Sequence, residues 1–343
     1  MNHRLNKLFE MKKIILNIIV FVMAAVSCQQ LHAQVDPHFS QYYLQPMMLN
    51  PALTGAIEGD YRVSAIWRSQ YSNTLSTKGV SAETVTDKNC NIGFNVLNQS
   101  TNDKAYNFTN AYLTMAYTGV RFGPRADHYL VLAMQCGYMN RRFDVGKLKF
   151  GDQWISGLGY DPSTSSGEAF TKPSVSSFDA GAGIAYYDAT PNKKLSVFGG
   201  ISAFHITRPA YPFLSDGDQQ RLPVRYSVHA GARIIASDLL SIVPNAIYMR
   251  EGDAEEKMIG VYMQLYATET TDFIFGANYR FNDAASPFAG FYYKGLTLGL
   301  SYDVNASYKT AGVTKGNSLE VSISFVGSKK NSTKTKSFYC PRF

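Results

Sequence analysis

From Asp60 to Phe325 the chain alternates between two kinds of side chain with a period of two, almost without a break. Tyr61, Val63, Ala65 and Trp67 alternate with Arg62, Ser64, Ile66 and Arg68. Ala111, Leu113, Met115 and Tyr117 alternate with Tyr112, Thr114 and Ala116, and Leu319, Val321, Ile323 and Phe325 with Glu320, Ser322 and Ser324. Phe178, Ala180, Ala182, Ile184 and Tyr186 alternate with the small or polar Asp179, Gly181, Gly183 and Ala185. This period puts one set on each face of a sheet, so the chain is expected to be all-β. Beyond residue 33 no run reaches the ~18 apolar residues of a transmembrane helix. If the mature chain enters a membrane, it must therefore close into a barrel, because lipid cannot satisfy an open sheet edge.

Fourteen strands are expected, near 60–71, 77–86, 91–99, 104–121, 127–144, 174–188, 195–208, 222–236, 239–250, 256–268, 271–282, 287–293, 296–306 and 317–326. The count is even, as in bacterial single-chain barrels. Even-numbered connections are short, such as Thr190-Pro191-Asn192-Lys193, Ser237-Asp238 and Lys294-Gly295. Odd-numbered ones include the long stretches 145–172, 209–221 and 307–316. In an up-and-down barrel alternate connections share one end, so long loops gather outside and short turns on the periplasmic side. Composition agrees: charged residues make up 17% of the chain, below the roughly 25% of soluble domains. The 23 Tyr suit a boundary between lipid and water. An extracellular sandwich could share this composition but has no reason to segregate its loops, and the transmembrane antiparallel up-and-down β-barrel is preferred.

Residues 1–33 read as a signal peptide. Lys12 and Lys13 precede an apolar run from Ile14 to Val26, and Leu31-His32-Ala33 resembles a cleavage site. Met11 is an alternative start, and Cys28 after Ala25-Val26-Ser27 an alternative, lipid-modified processing site. Either route exports the chain. Residues 34–59 then form an N-terminal plug-like segment, 60–326 the outer-membrane barrel, and 327–343 a C-terminal tail, with both termini on the periplasmic side.

Catalytic chemistry is not visible. His38, His128, His205 and His229 are scattered without metal-ligand spacing, and Cys90, Cys136 and Cys340 form neither a disulfide framework nor a zinc set. Nucleophile elbows, zinc-protease helices and phosphate-binding glycine loops are absent from the sequence. Asp152, Asp161 and Glu168 share a long loop, where carboxylates are normally just solvated. No catalytic residue, metal or cofactor is assigned. The net charge of +7 shrinks when the signal is removed and is spread along the chain, which does not argue for a nucleic-acid partner, and none is expected. His205 and Arg208, in Phe204-His205-Ile206-Thr207-Arg208-Pro209, are expected to pair and shape a strand exit. Asn50-Pro51-Ala52 has the water-channel triplet, but it occurs once and lacks the surrounding helices.

The N-terminal piece is too apolar for a free tail. Asp36-Pro37-His38-Phe39-Ser40-Gln41-Tyr42-Tyr43 leads into Met47-Met48-Leu49-Asn50-Pro51-Ala52-Leu53-Thr54-Gly55. It is expected to pack in or under the barrel, where Gly181, Gly183, Gly199 and Gly200 leave room. The tail carries Lys329, Lys330, Lys334 and Lys336, then closes on Tyr339-Cys340-Pro341-Arg342-Phe343. That apolar ending suggests docking on the barrel's underside or on a periplasmic partner.

The run from Asp36 to Tyr71 resembles the opening of the PorP/SprF family of Bacteroidota. Four further stretches match in order: Leu148 to Gln153, Phe204 to Pro209, Gly299 to Asn305, and Cys340 to Phe343. The resemblance implies an outer-membrane component of the type IX secretion system that supports export or surface retention of large secreted proteins, gliding adhesins among them. The implied partner is a secreted protein with a C-terminal sorting domain, with periplasmic ring components and outer-membrane lipid as further contacts. Trp154, Tyr160, Tyr211 and Phe213 are the loop aromatics expected at such an interface, since rigid rings give large contact area at low entropic cost. The competing class is a passive porin, which requires an open polar lumen.

Overall fold

The computed structural model describes residues 36–86, 88–167, 172–191, 193–210, 213, 221–305 and 317–328. The signal peptide with Cys28, the loop aromatic Tyr211, and the tail residues Lys329, Lys330, Cys340, Pro341, Arg342 and Phe343 lie outside them.

Fourteen strands close into one antiparallel barrel. They are β1 (Tyr61–Gln70), β2 (Leu75–Thr84), β3 (Cys90–Thr101), β4 (Tyr106–Phe122), β5 (His128–Phe143), β8 (Ser174–Asp188), β9 (Leu195–Phe204), β10 (Arg225–Ser237), β11 (Leu240–Glu251), β12 (Ala254–Thr268), β13 (Thr271–Arg280), β14 (Ala284–Tyr293), β15 (Leu296–Asn305) and β16 (Ser318–Gly327). The short strands β6 (Trp154–Ile155) and β7 (Gly159–Tyr160) form a separate ribbon in the loop after β5. Neighbours in sequence are neighbours in the sheet, and β1 pairs with β16 to close it, with Arg62 opposite Val326 and Arg68 opposite Glu320.

The period of two places the side chains as expected. On β1, Arg62, Ser64, Ile66 and Arg68 are buried inside, while Val63 and Trp67 face out. Leu113, Met115 and Tyr117 of β4, Phe273 and Phe275 of β13, and Val321, Ile323 and Phe325 of β16 also face out. Water would penalise such a continuous apolar band, whereas a bilayer takes the place of a hydrophobic partner. The chain is thus built inside out: its outer surface is apolar and its interior carries Arg, Asp, Glu, Asn and Ser.

Most strand ends move by one to four residues from the sequence expectation, and two of these shifts are instructive. β9 stops at Phe204 rather than 208, because His205 and Arg208 take left-handed backbone with φ of 56° and 47°. β14 starts at Ala284 rather than 287, although Pro287 lacks the N–H for one ladder bond. The ladder to β15 skips Ser286 and Pro287 and continues in the same register on either side.

All long connections leave one rim, called here the long-loop end. β1 begins and β16 ends at the opposite, short-turn end. Among the described residues no helix is long and apolar enough to cross a membrane.

Candidate functional site

Residues 36–59 occupy the barrel lumen. Three 3-10 turns, Tyr42–Leu44, Pro46–Met48 and Pro51–Leu53, keep the segment compact, two of them opened by a proline whose missing N–H costs nothing at that position. Backbone groups of such an irregular segment cannot be left bare inside a membrane protein. The barrel wall answers them at three levels.

Nearest the long-loop end, the Asp36 backbone N–H donates to Glu251 at 2.8 Å. Its carboxylate lies 2.7 Å from His205 Nε2 and 3.7 Å from Arg225. The other ring nitrogen of His205, Nδ1, stands 2.7 Å from Asp179, which also accepts from the Tyr112 hydroxyl at 2.6 Å and Thr207 at 2.9 Å. Burial alone would lower the pKa of His205. The charge of Asp36 and the bonds to Asp179 and Asp36 overcome it and raise the value to about 9. Burial likewise opposes ionisation of Asp36, yet His205 and then Arg225 hold its carboxyl well below the usual range. The imidazolium is therefore clasped between two carboxylates.

One level down, Glu320 accepts the backbone N–H groups of Ser40 at 2.7 Å and Gln41 at 3.0 Å. Arg68 reaches Glu320 at 3.3 Å, Asp303 at 2.9 Å and the carbonyl of His38 at 2.8 Å. Arg280 binds Asp303 at 2.6 Å and the Ser40 hydroxyl at 2.5 Å. Beside this network His38 faces Glu256 at 2.7 Å, and the Gln41 side-chain oxygen accepts from Ser322.

Towards the short-turn end, the Asn50 amide donates to the carbonyls of Ile184 at 3.0 Å and Ile201 at 3.2 Å, and lies 3.2 Å from His229. Its own oxygen caps the Pro51 turn through Ala52 N–H. Ile184 and Ile201 face each other across β8 and β9. The amide reaches them because Gly183 and Gly200 carry no side chain; a Cβ on Gly200 would stand 2.6 Å from the Asn50 nitrogen. Below, Gly55 N–H donates to Glu83, which pairs with Arg62, and Asn91 donates to the Thr54 carbonyl.

Apolar contacts complete the closure. Phe39 is buried with Ile66, Leu97, Phe108, Tyr112 and Met139 beneath the long-loop end. Tyr42 packs beside Leu49 and Ile247, and Tyr43 stands 5.4 Å from Phe288. Beside Asp36 remains a small pocket, lined in part by His205, Arg225, Asn95, Asn110 and Gln135.

The segment runs from one rim toward the other: Asp36 lies beside Glu251 and Arg225, the residues at the long-loop ends of β11 and β10, and the chain descends to the short-turn end at Asp60. The expected pairing of His205 with Arg208 is corrected. Its ring pairs with Asp36 and Asp179, and its link to Arg208 is only a backbone turn bond at 2.9 Å.

The loop aromatics separate. Trp154 and Tyr160 face each other across the β6–β7 ribbon, with ring centroids 6.0 Å apart. Trp154 is 58% exposed and neighbouring Leu158 83%. Phe213 instead packs edge-on against Phe143 at 5.0 Å, joining the apolar cap. Asp36, His205 and Glu251 bring three metal-ligand atoms within 4.8 Å. Both His205 nitrogens already face carboxylates and Arg225 adds positive charge, so ion pairing accounts for the cluster.

Over residues 31–325 the sequence matches the family described as type IX secretion system membrane protein PorP/SprF. The chain belongs to the PorP/SprF family. This PorP/SprF chain is an outer-membrane-type barrel filled by its own N-terminal segment, and family and fold are those of a secretion membrane protein rather than an enzyme. Among solved structures it is similar to the Ralstonia pickettii toluene transporter TbuX, at 12% identity over 82% of this chain and 92% of that one, with a TM-score of 0.50. The CymD monoaromatic hydrocarbon channel aligns at 12% identity over 83% of this chain and 93% of that one, TM-score 0.48. The Pseudomonas putida toluene transporter TodX aligns at 8% over 85% and 93%, TM-score 0.47. No curated protein sequence matches.

Proposed function

We propose that this PorP/SprF barrel is an anchor of the type IX secretion system, binding a large secreted surface protein through the long-loop end and helping to export or retain it. The observation that carries this reading is the occupied lumen: a wall that spends Arg68, Arg280, Asp303 and Glu320 on its own segment is built to hold that segment, not to pass solute. What the barrel then offers a partner is its rim. There the β6–β7 ribbon exposes Trp154 and Leu158 beside Tyr160, a rigid aromatic surface of the kind that dominates interface energies. In this reading the long loops face the outside and the short turns face the periplasm. The tail, from Lys329 and Lys330 to Phe343, is then available on the periplasmic side for the ring components of the machinery.

The partner is a secreted protein bearing a type IX C-terminal sorting domain. Deleting residues 154–171 should release it from cells into the medium. Retention at the unaltered level in cells that still carry the deleted barrel would exclude these loops as the anchor. A passive porin remains the opposing class, and planar-bilayer recordings separate the two: steady conductance from the intact chain supports a pore.

A further inference from the structure

Strand β9 parts from β8 before β8 ends. Their ladder runs from Tyr187 opposite Phe198 to Ala182 opposite Ala203, although β8 continues outward to Ser174. The cause is His205. Its left-handed backbone, with φ of 56°, turns the chain off β8 as its ring enters the lumen to meet Asp36 and Asp179. Two bonds follow the divergence: Ile206 N–H donates to the Ala180 carbonyl at 3.0 Å, and the Thr207 hydroxyl to the Phe178 carbonyl at 3.3 Å. Arg208, left-handed with φ of 47°, then leads the chain away. On its other side β8 stays paired with β5, where the Pro173 carbonyl accepts from Phe143 N–H at 2.8 Å. Main-chain groups of an antiparallel strand alternate in direction, so odd residues here face β5 and even ones the open side. Among the described residues the N–H and carbonyl of Ser174 and Ser176, and the N–H of Phe178, have no partner.

Lipid does not seal that edge. Outward side chains change character along it: Phe178 and Tyr138, opposite each other on β8 and β5, are 64% and 50% exposed, whereas beyond them Ser176, Asn140, Ser174 and Arg142 are polar. The open edge thus begins where the apolar band ends, as it must, since lipid cannot satisfy bare main-chain groups. Open edges are normally blunted by a proline, a bulge or a lysine. Pro173 sets the outer limit here, but between Ser174 and Phe178 none of these occurs, and the β5–β8 register is unbroken. The surroundings are basic: Arg142, Lys172, Arg208 and Arg221 are exposed, while the neighbouring acids Asp144 and Asp179 already face Lys147 and His205. The loop that carries the β6–β7 ribbon leads into Ser174. We infer that the secreted partner adds a strand of its own to β8 at this edge, an extended segment of about five residues bearing acidic side chains. This rests on the reading that the long-loop rim holds a secreted partner. It assigns the joint to main-chain hydrogen bonds, with the aromatic ribbon beside them.

Proline at position 176 tests this without touching the barrel's own ladder. Ser176→Pro removes an N–H that faces the open side and sets a ring in the way of an incoming strand, while residues 175 and 177 keep their bonds to β5. Ser176→Ala removes the hydroxyl that meets Tyr138 and Asn140 but keeps the N–H. Tagged full-length barrels are purified from detergent-solubilised outer membranes, and the co-purifying secreted protein with a C-terminal sorting domain is quantified by mass spectrometry. Ser176→Pro should capture at least roughly tenfold less of it than Ser176→Ala, at a similar urea midpoint. Arg142→Glu combined with Lys172→Glu should also lower capture. Photoreactive benzoylphenylalanine in place of Phe178 should crosslink to the secreted protein, which decides the matter even if Ser176→Pro fails to fold. Equal capture by the two Ser176 variants overturns the strand joint and leaves the partner at the rim. A crosslink confined to the chain itself or to a second copy overturns it as well. Absence of any such secreted protein from the parent preparation overturns the anchor reading and this inference together.

Discussion

His205 Nε2 stands 2.7 Å from the Asp36 carboxylate, joining the first described residue of the chain to a position 169 residues later. The contact fastens the lumen segment to the barrel beneath the long-loop end. Because its charge depends on pH, the fastening does too. The folded value of about 9 for His205 lies above its ordinary 6.5. The stabilisation is therefore complete below about 6.5, declines as pH rises through 9, and is gone above it; over that window the loss is on the order of 3 kcal/mol. Asp36 works in the opposite sense, since its lowered value means stability present above the ordinary carboxylate range and lost in strong acid. Urea unfolding of the purified barrel between pH 6 and 10 should show the alkaline decline. His205→Gln should flatten it and cost about 3–5 kcal/mol near neutrality, because Asp179 then loses its cation and Asp36 keeps only Arg225, at 3.7 Å.

Asn50 makes a different kind of joint, neutral and dependent on two missing side chains. Asn50→Ala strands the carbonyls of Ile184 and Ile201 and removes the cap on the Pro51 turn. A loss of about 1–3 kcal/mol is expected. Gly200→Ala should weaken the same joint from the other side, since the new methyl group meets the Asn50 nitrogen. Combined, the two changes should cost less than the sum of their separate effects, because both break one contact. Urea midpoints of the three variants decide this.

The middle level controls closure. Asp303 faces both Arg68 and Arg280, while Glu320 receives the segment's backbone at Ser40 and Gln41. Asp303→Ala leaves Arg68 with Glu320 alone and Arg280 with Asp283 alone, at a cost near the lower end of about 3–5 kcal/mol. The segment should then leave the lumen part of the time. Bilayer recordings of this variant should show intermittent conductance, and deletion of residues 36–57 a steady one, from a barrel that is silent when intact. Silence of the deletion variant in a folded barrel would mean that something other than the segment blocks the lumen.

Most of the barrel could be read from the period of two, and the reason is physical. Lipid on one side and a filled lumen on the other give each strand two faces of opposite demand, so Val63 and Trp67 could not exchange places with Ser64 and Arg68. Local signals also showed the segment's apolar character and the space left by Gly183 and Gly200. Its partners were not legible. Asp179, Arg225, Glu251, Arg280, Asp303 and Glu320 are single charges on six different strands, and only closure of the sheet brings them to Asp36 and Ser40. The available cue was that each occupies an inward position of the alternation, where an unpaired charge would be costly. Direction of threading was hidden for the same reason: nothing between Asp36 and Asp60 tells which rim Asp36 approaches until Glu251 and Arg225 are placed.

The exposed ribbon yields the prediction closest to function. Trp154 and Tyr160 face each other across β6 and β7 with their rings 6.0 Å apart, and Lys149 stacks on Tyr160 at 4.9 Å. Trp154 therefore sits on a supported ribbon while 58% of it faces solvent. Little of the barrel's stability depends on it, so Trp154→Ala should leave the urea midpoint within about 0.5 kcal/mol of the parent. Binding of a secreted partner through this rim should weaken by about 2 kcal/mol, roughly thirtyfold, if Trp154 is a central contact. Tyr160→Ala should weaken it as well, but with a measurable loss of ribbon order, because it removes the ring that supports Trp154. Pull-down of the partner by the tagged variants, with unfolding measured on the same preparations, separates a lost contact from a lost fold. Equal capture by Trp154→Ala and the parent would move the binding surface away from this ribbon, to the other long loops of the same rim.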